Sequence, residues 1–140
     1  MKSELEKEYI NLQELRQNLQ NAHCRNEIEE ANLEIAKFYK DIASEKGEIY
    51  LILFNAFVHS KRAGYEMINI DNVICSCGVQ QFVRVLKDAE IEKFTLSTNS
   101  SGVIETAWLI EQYGYSLIGI VEVDGCNTGG SFHALYFKLD

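Results

Sequence analysis

From Gly78 onward the sequence alternates between helix-type and strand-type apolar patterns, and this order restricts the possible folds more than any other feature. Apolar residues first recur at helical spacing and then alternate along Phe94–Thr98. A second helical pattern leads into two strand patterns, Tyr115–Val123 and Phe132–Leu139. This α-β-α-β-β order predicts an α/β or α+β core with a small mixed sheet. Strands joined through a helix should pair in parallel, and the last two strands should pair antiparallel.

The first 46 residues predict helices. Ser3-x-x-Glu6 is a capping box, and Asn26-x-x-Glu29 offers a second cap. Two apolar stripes follow at spacings of three and four, and they consist of Leu5, Tyr9, Leu12, Leu15, Leu19 and Ala22, then Ile28, Ala31, Ile35, Phe38 and Ile42. The phase of the pattern changes between the two stripes. The segment therefore forms either a helical hairpin or one bent helix.

A continuous apolar run, Ile49–Val58, follows Gly47, which is well placed to end the preceding helix. The run extends to Gly64, a helical length, so it predicts a buried helix whose inner face consists of Ile49, Ile52, Leu53, Ala56, Phe57 and Ser60. Residues 65–76 are predicted to be irregular or a short strand. We expect one domain over residues 1–140, with a helical segment at 1–46 packed on an α/β core at 47–140.

Charge and cysteine content restrict location and partners. The net charge is −8, and the longest run of basic residues is Lys61-Arg62, a pattern that disfavours direct nucleic-acid binding. No apolar run reaches the ~18 residues that cross a bilayer, and the start Met1–Glu6 lacks a secretory pattern. Four cysteines without such a signal predict reduced thiols in the cytoplasm.

Two groups of residues suggest ligand chemistry. Cys75 and Cys77, with Cys126 and His133, could hold a metal, but zinc usually pairs cysteines two to four residues apart, so small, partly buried thiols are favoured. The turn formed by Asn99, Ser100, Ser101 and Gly102 could bind an anion on its free amides, although helix capping explains the same residues. We expect no metal and no cofactor. Trp108, at helical spacing with Ile104, is expected in the core together with it.

The segments Gly64–Ile74, Phe94–Ser97, Glu105–Leu109 and Gly119–Val123 resemble a family of small uncharacterised bacterial proteins that are frequent on plasmids, conjugative transposons and phages. The resemblance covers residues 48–140 approximately. It implies residence on a mobile element and assigns no activity.

Residues 94–139 approximately are similar to the C-terminal part of Gcn5-related N-acetyltransferases. The similarity lies in the turn at Asn99, the helix that ends at Gln112-Tyr113-Gly114-Tyr115, and the hairpin that follows. It implies an acyl-CoA-dependent transferase fold. The Arg/Gln-x-x-Gly-x-Gly/Ala loop that binds the cofactor pyrophosphate in that family has no counterpart, because Gly78 follows Cys75-Ser76-Cys77 without the required spacing.

The function expected from these patterns is that of a non-enzymatic, protein-binding accessory protein of a mobile element. The most specific version of this prediction is an acidic, anti-CRISPR-like inhibitor of a nucleic-acid-handling defence protein. Glu27, Glu30 and Glu34 on the second helix would bind the basic partner, and a homodimer through the N-terminal helices is a further option. A divergent acyl-CoA-dependent transferase and a small-ligand or metal-binding module are the alternatives.

Overall fold

The computed structural model describes residues 3–71, 78–98, 102–127 and 130–140. The chain divides into two compact units, Met1–Leu51 and Ile52–Asp140. The helices are α1 Glu4–Gln20, α2 Arg25–Lys46, α3 Glu48–Ala63, α4 Val79–Asp88 and α5 Val103–Gln112, and the strands are β1 Asn69–Ile70, β2 Lys93–Ser97, β3 Tyr115–Gly125 and β4 Gly130–Leu139. The α+β class is confirmed, as is the α-β-α-β-β order from α4 onward. The single-domain organisation stays a prediction.

The first unit contains a helical hairpin, in which α1 and α2 contact each other. The capping box is confirmed, because the Glu6 amide donates to Ser3 Oγ at 3.2 Å. The second predicted cap is wrong by two residues. Helix α2 is capped at Cys24, which makes no side-chain capping bond, while Glu27 Oε2 accepts from the His23 amide at 3.0 Å. A carboxylate in the first turn of α2 therefore satisfies the backbone amide of the residue directly before the cap.

Ion pairs connect the two ends of the first unit. Lys46 Nζ lies 3.5 Å from a Glu4 carboxylate oxygen and 3.4 Å from one of Glu8. The same ammonium lies 4.9 Å from the centre of the Tyr50 ring, and the Tyr50 hydroxyl donates to Glu8. Burial is the main cause of a raised pKa at Tyr50, and the Glu8 carboxylate adds to it. Gly47, with φ +95°, ends α2 as predicted.

The inner face of α3 is rotated from the predicted one. Its buried residues in the second unit are Leu53, Phe54, Phe57, Val58, Ser60 and Ala63. Ile52 and Ala56, which were placed at the centre of the predicted face, are only half-buried. Phe54 and Val58 together present more apolar surface than Ile52 and Ala56, so this rotation hides more of it from water.

The sheet of the second unit has the strand order β1-β2-β4-β3. β1 and β2 are parallel, with Asn69 opposite Thr95, while β4 is antiparallel to both β2 and β3. The expectation that strands joined by a helix pair in parallel therefore holds for β1 and β2 and is wrong for β2 and β3. After α5, the hairpin folds back so that β4 occupies the position beside β2. This leaves β3 at the edge of the sheet.

One face of the sheet carries the apolar core. Phe94 and Phe137 stack with ring centres 5.2 Å apart, and Tyr115 meets Phe94 edge-on at 5.3 Å. Helices α4 and α5 contact each other, and α5 contacts β3. The Tyr115 hydroxyl donates to the Ile91 carbonyl at 2.5 Å, directly after α4, which ties β3 to the helical layer. No helix within the described ranges is long and apolar enough to cross a membrane.

Candidate functional site

Helix α5 exposes two large apolar side chains. Ile104 is 85% exposed and Trp108 is 60% exposed. At about 100° per residue, Ala107 and Ile110 point inward, whereas Ile104 and Trp108 lie one turn apart on a flank of the helix. The prediction that Trp108 and Ile104 belong to the core is therefore wrong, because the inner face of α5 is too narrow to include them.

The edge strand β3, which contacts α5, also exposes large apolar side chains. Leu117 is 37% exposed, Ile118 is 56% exposed and Ile120 is 66% exposed. The register with β4 shifts between Leu117 and Gly119, so Ile118 lies in a β-bulge. Since α5 contacts β3, we call these three residues together with Ile104 and Trp108 the α5–β3 surface.

Carboxylates surround the α5–β3 surface. Glu105 and Glu111 on α5 and Glu122 and Asp124 on β3 are all exposed. Neither element contains a lysine or an arginine. The surface therefore combines an apolar centre with negative charge, and no cation of its own elements neutralises that charge.

A second group of polar residues lies at the carboxyl ends of β1 and β2. Asn69 Nδ2 donates to Asp71 Oδ1 at 2.7 Å and to Ser97 Oγ at 3.0 Å. Ser97 Oγ donates to the same Asp71 oxygen at 2.5 Å, and Thr95 Oγ1 donates to Asn69 Oδ1 at 2.7 Å. The Asn69 amide completes the cluster by donating to Ser60 Oγ at 3.0 Å. We call these five residues the Asn69 network; all except Asp71 are buried.

A pocket of about 440 Å³ opens beside this network and is lined by Tyr65, Asp71, Ser97, Thr98, Phe132 and His133. The Tyr65 ring packs edge-on against His59 at 5.8 Å and Phe132 at 5.7 Å. Burial raises the pKa of Tyr65, and the negative charge of Asp71 raises it further. With the Tyr65 phenol, the Asp71 carboxylate and the Phe132 ring in its lining, the pocket has the polar groups and aromatic walls of a small-ligand site.

The predicted partner-binding residues Glu27, Glu30 and Glu34 are exposed and lie at spacings of three and four along α2. They share one face of the helix. Glu27 also serves the start of α2 through its bond to His23. Leu33, 70% exposed, lies on the same helix.

The predicted ligand-binding and metal-binding residues are described only in part. Gly102 is the N-cap of α5, with φ +74°, and its carbonyl accepts from Thr106, whereas Asn99, Ser100 and Ser101 lie outside the described residues. Cys75 and Cys77 lie outside them as well. Cys126 is exposed, with Sγ 3.4 Å from the Gly64 carbonyl oxygen, and His133 lies on β4. Within the described part of the chain, no three His, Cys, Asp or Glu residues are placed to hold a metal.

Sequence reasoning missed both the α5–β3 surface and the Asn69 network. The signal for the first was present, since Ile104 and Trp108 are one turn apart and Glu105 and Glu111 flank them. The position of β3 at the edge depends on where β4 inserts, which no local pattern encodes. The signal for the network was weak, because Asn69 and Asp71 are followed by a segment without clear periodicity.

The fold and these sites define an α+β protein whose second unit carries an exposed apolar surface and a polar pocket at the strand ends. Residues 52–133 match the family described as Domain of unknown function (DUF7698), and the chain belongs to that family. This confirms the resemblance to an uncharacterised family. No curated protein and no solved structure matches the chain significantly.

Proposed function

We propose that this protein acts by binding another protein through the α5–β3 surface. The observation that carries the proposal is the exposure of Ile104, Trp108 and Ile120 on two elements that contact each other. Singly scattered apolar residues are normal on a protein surface, whereas large apolar side chains concentrated on neighbouring elements mark interaction sites. A tryptophan and branched aliphatic residues within a polar rim are typical of the centre of a protein interface.

The charge around the surface favours a basic partner. The four rim carboxylates and the net charge of −8 attract cationic surfaces and accelerate association with them. Glu27, Glu30 and Glu34 present a second acidic face on the first unit. A negative surface of this kind is complementary to the basic surfaces with which other proteins bind phosphate backbones.

The sharper form of the proposal is an accessory protein of a mobile element, acting in the cytoplasm as an anti-CRISPR-like inhibitor of a nucleic-acid-handling defence protein. It rests on the sequence resemblance to mobile-element proteins and on the acidity of the chain. In this form, inhibition results from occupation of a basic nucleic-acid-binding surface, and the chain carries out no catalysis.

Affinity capture from the native cell with mass spectrometry tests the proposal. We expect the wild-type protein to capture a basic protein. The double variant Ile104→Ser/Trp108→Ser should capture much less of the same protein. Truncating central interface residues typically costs about 2 kcal/mol or more. Leu33→Ser is the matched control, since it removes an equally exposed apolar side chain from a different helix. Equal capture by a folded double variant would refute the role of this surface.

The acidic face of α2 is tested separately. The variant Glu27→Lys/Glu30→Lys/Glu34→Lys should fold nearly as stably as wild type, because exposed substitutions usually change stability by about ±0.5 kcal/mol each. We expect weaker capture of the partner, most strongly at low salt. Unchanged capture at low salt would restrict partner binding to the α5–β3 surface. Sedimentation over a range of concentrations, with Leu33→Ser as the variant, tests the homodimer through the N-terminal helices.

A second candidate function is that of a divergent acyl-CoA-dependent N-acetyltransferase-like protein. The observation that favours it is the run β1–α4–β2–α5–β3–β4 ending in a hairpin, together with the pocket at the carboxyl ends of β1 and β2. Ligands bind at such strand ends in many open sheets. Acetyl-CoA at a hundred times its dissociation constant should stabilise a binding protein by about 2.7 kcal/mol. No change in melting temperature at millimolar acetyl-CoA would remove this candidate.

A further inference from the structure

We infer that β3 accepts an extended segment of the partner as an additional antiparallel strand, and that this segment has the pattern basic–x–basic–x–apolar. The inference rests on the proposed function, since β3 forms half of the α5–β3 surface. It specifies what the proposed function leaves open, namely the conformation of the bound segment and the order of its side chains.

The edge of β3 is open and long. Among the described strands, β3 pairs with β4 alone, and its 11 residues make it the longest strand of the sheet. Edge strands usually carry charged side chains, prolines or bulges that prevent pairing with another chain. β3 has no proline, its bulge lies near its start, at Ile118, and its charges are the carboxylates of Glu122 and Asp124, which oppose an acidic strand but not a basic one. The segment Gly119–Asp124 therefore offers a regular edge of six residues.

The register with β4 fixes which side chains stand on each face of this edge. Ile120 is opposite Leu135, Glu122 is opposite His133 and Asp124 is opposite Ser131. Ile120, Glu122 and Asp124 thus share one face of β3, while Val121 and Val123 lie on the other. A strand added to the free edge would place its own residues beside these side chains.

Cross-strand pairing then defines the segment. Opposite charges and apolar pairs each contribute about 0.2–1 kcal/mol when directly opposite. Basic residues two positions apart fit beside Asp124 and Glu122, and a large aliphatic residue fits beside Ile120. Read from its N-terminus, an antiparallel segment is therefore basic–x–basic–x–apolar. Opposite Gly119, where an added Cβ would meet nothing within 4 Å, a large side chain also has room.

Charge argues against a second copy of this chain as the occupant. Two β3 strands paired with each other would bring together the carboxylates of Glu122 and Asp124 from both chains without a cation from either strand. Each chain also carries a net charge of −8. A basic segment neutralises the same carboxylates, so its association is favoured where self-association is opposed.

The probe is a blocked peptide, Ser-Lys-Thr-Arg-Thr-Ile-Thr-Ser, titrated into the full chain and followed by calorimetry and by amide NMR. We expect saturable binding, with the largest amide shifts in β3 and cross-strand contacts that define an antiparallel pair. Two further peptides carry N-methyl groups on alternate residues. One set of methyl groups faces β3 and should weaken binding at least about tenfold, because it removes the hydrogen-bond donors, while the other set faces solvent and should bind like the parent peptide.

A charge swap tests the predicted pattern. Glu122→Lys/Asp124→Lys should lose the basic peptide and gain a peptide in which Glu replaces Lys and Arg. Asp41→Lys/Glu45→Lys, at two exposed carboxylates of the other unit, is the control and should leave binding of the basic peptide unchanged. Glu105→Lys tests the α5 side and should have a smaller effect than the β3 swap.

Three results would overturn the inference. Equal binding of both N-methylated peptides would mean that side chains alone make the contact. Binding to no peptide, while Ile104→Ser/Trp108→Ser still loses the captured partner, would retain the proposed function and remove strand addition. A concentration-dependent dimer in sedimentation, abolished by Glu122→Lys/Asp124→Lys, would identify a second copy as the occupant of the edge.

Discussion

Replacing Asn69 by alanine should destabilise the second unit by about 3 kcal/mol. The side chain is 1% exposed, and its amide group makes bonds to Asp71, Ser97 and Thr95 at 2.7–3.0 Å. The bond to a carboxylate contributes about 1.5–3 kcal/mol, and a buried hydroxyl that loses its acceptor costs about 1–3 kcal/mol. Thr95 is itself 1% exposed, and after the substitution its hydroxyl keeps only the Ile68 carbonyl, at 3.4 Å, as an acceptor.

A double-variant comparison separates the effect of breaking the hydrogen-bond network from the effect of shortening the Asn69 side chain. Thr95→Val alone should cost about 1 kcal/mol, since it removes the donor to Asn69 Oδ1. In the Asn69→Ala background the same change should cost much less, because the hydroxyl has already lost its short bond to Asn69 Oδ1 and keeps only the 3.4 Å bond to the Ile68 carbonyl. The double variant should therefore be about 1 kcal/mol more stable than the sum of the two single losses predicts.

Urea unfolding followed by tryptophan fluorescence measures this coupling. Trp108 is the only tryptophan of the chain and lies in the second unit, so it reports on the unit that contains the network. Thr98→Val is the matched control, since Thr98 is exposed and bonds to the His133 carbonyl rather than to Asn69. Additivity of Asn69→Ala with Thr95→Val within about 0.5 kcal/mol would refute the reasoning.

Three further predictions concern single positions. Burial raises the pKa of Tyr115 from 10.0 to about 12. The stability that the neutral phenol contributes should therefore be lost as the pH rises through that range. Tyr115→Phe should reduce this alkaline loss of stability when melting temperature is measured across a pH series. Gly64→Ala should destabilise more than Gly102→Ala in urea melts, because both glycines have positive φ but only at Gly64 would the added Cβ collide with another atom, Cys126 Sγ. Ser3→Ala should cost about 1 kcal/mol in the stability of the first unit, measured by circular dichroism, through loss of the cap.

The elements with strong local signals could be predicted from the sequence. Ser3 caps α1 as its capping box indicates, and Gly47 ends α2. The sequence predicted that β2 pairs in parallel with a strand joined to it through a helix. It did not predict the position of β4, because strand order depends on contacts between residues far apart in sequence. The exposure of Trp108 was missed for the same reason. The helical spacing of apolar residues shows which residues share a face of the helix. It does not show how wide the buried part of that face is.

The Asn69 network was beyond local reasoning in a different way. Its members come from α3, β1 and β2, and each is an ordinary polar residue in its own segment. Their chemistry depends on their convergence at the ends of two parallel strands. In the same way, the carboxylates Glu122 and Asp124 gain meaning only once β3 is known to lie at the edge.

The insertion of β4 between β2 and β3 also has a kinetic consequence. β3 has no described pairing partner except β4, and the β2–β4 pair joins residues as far apart as Lys93 and Lys138. The sheet therefore cannot assemble strand by strand in chain order, and closing this long loop must precede most of its stabilisation. In refolding experiments the α1–α2 hairpin, built from local contacts, should gain structure before the sheet does. Until β4 docks, the edges of β2 and β3 that it later covers are both exposed, so that interval is when the chain is most vulnerable to aggregation.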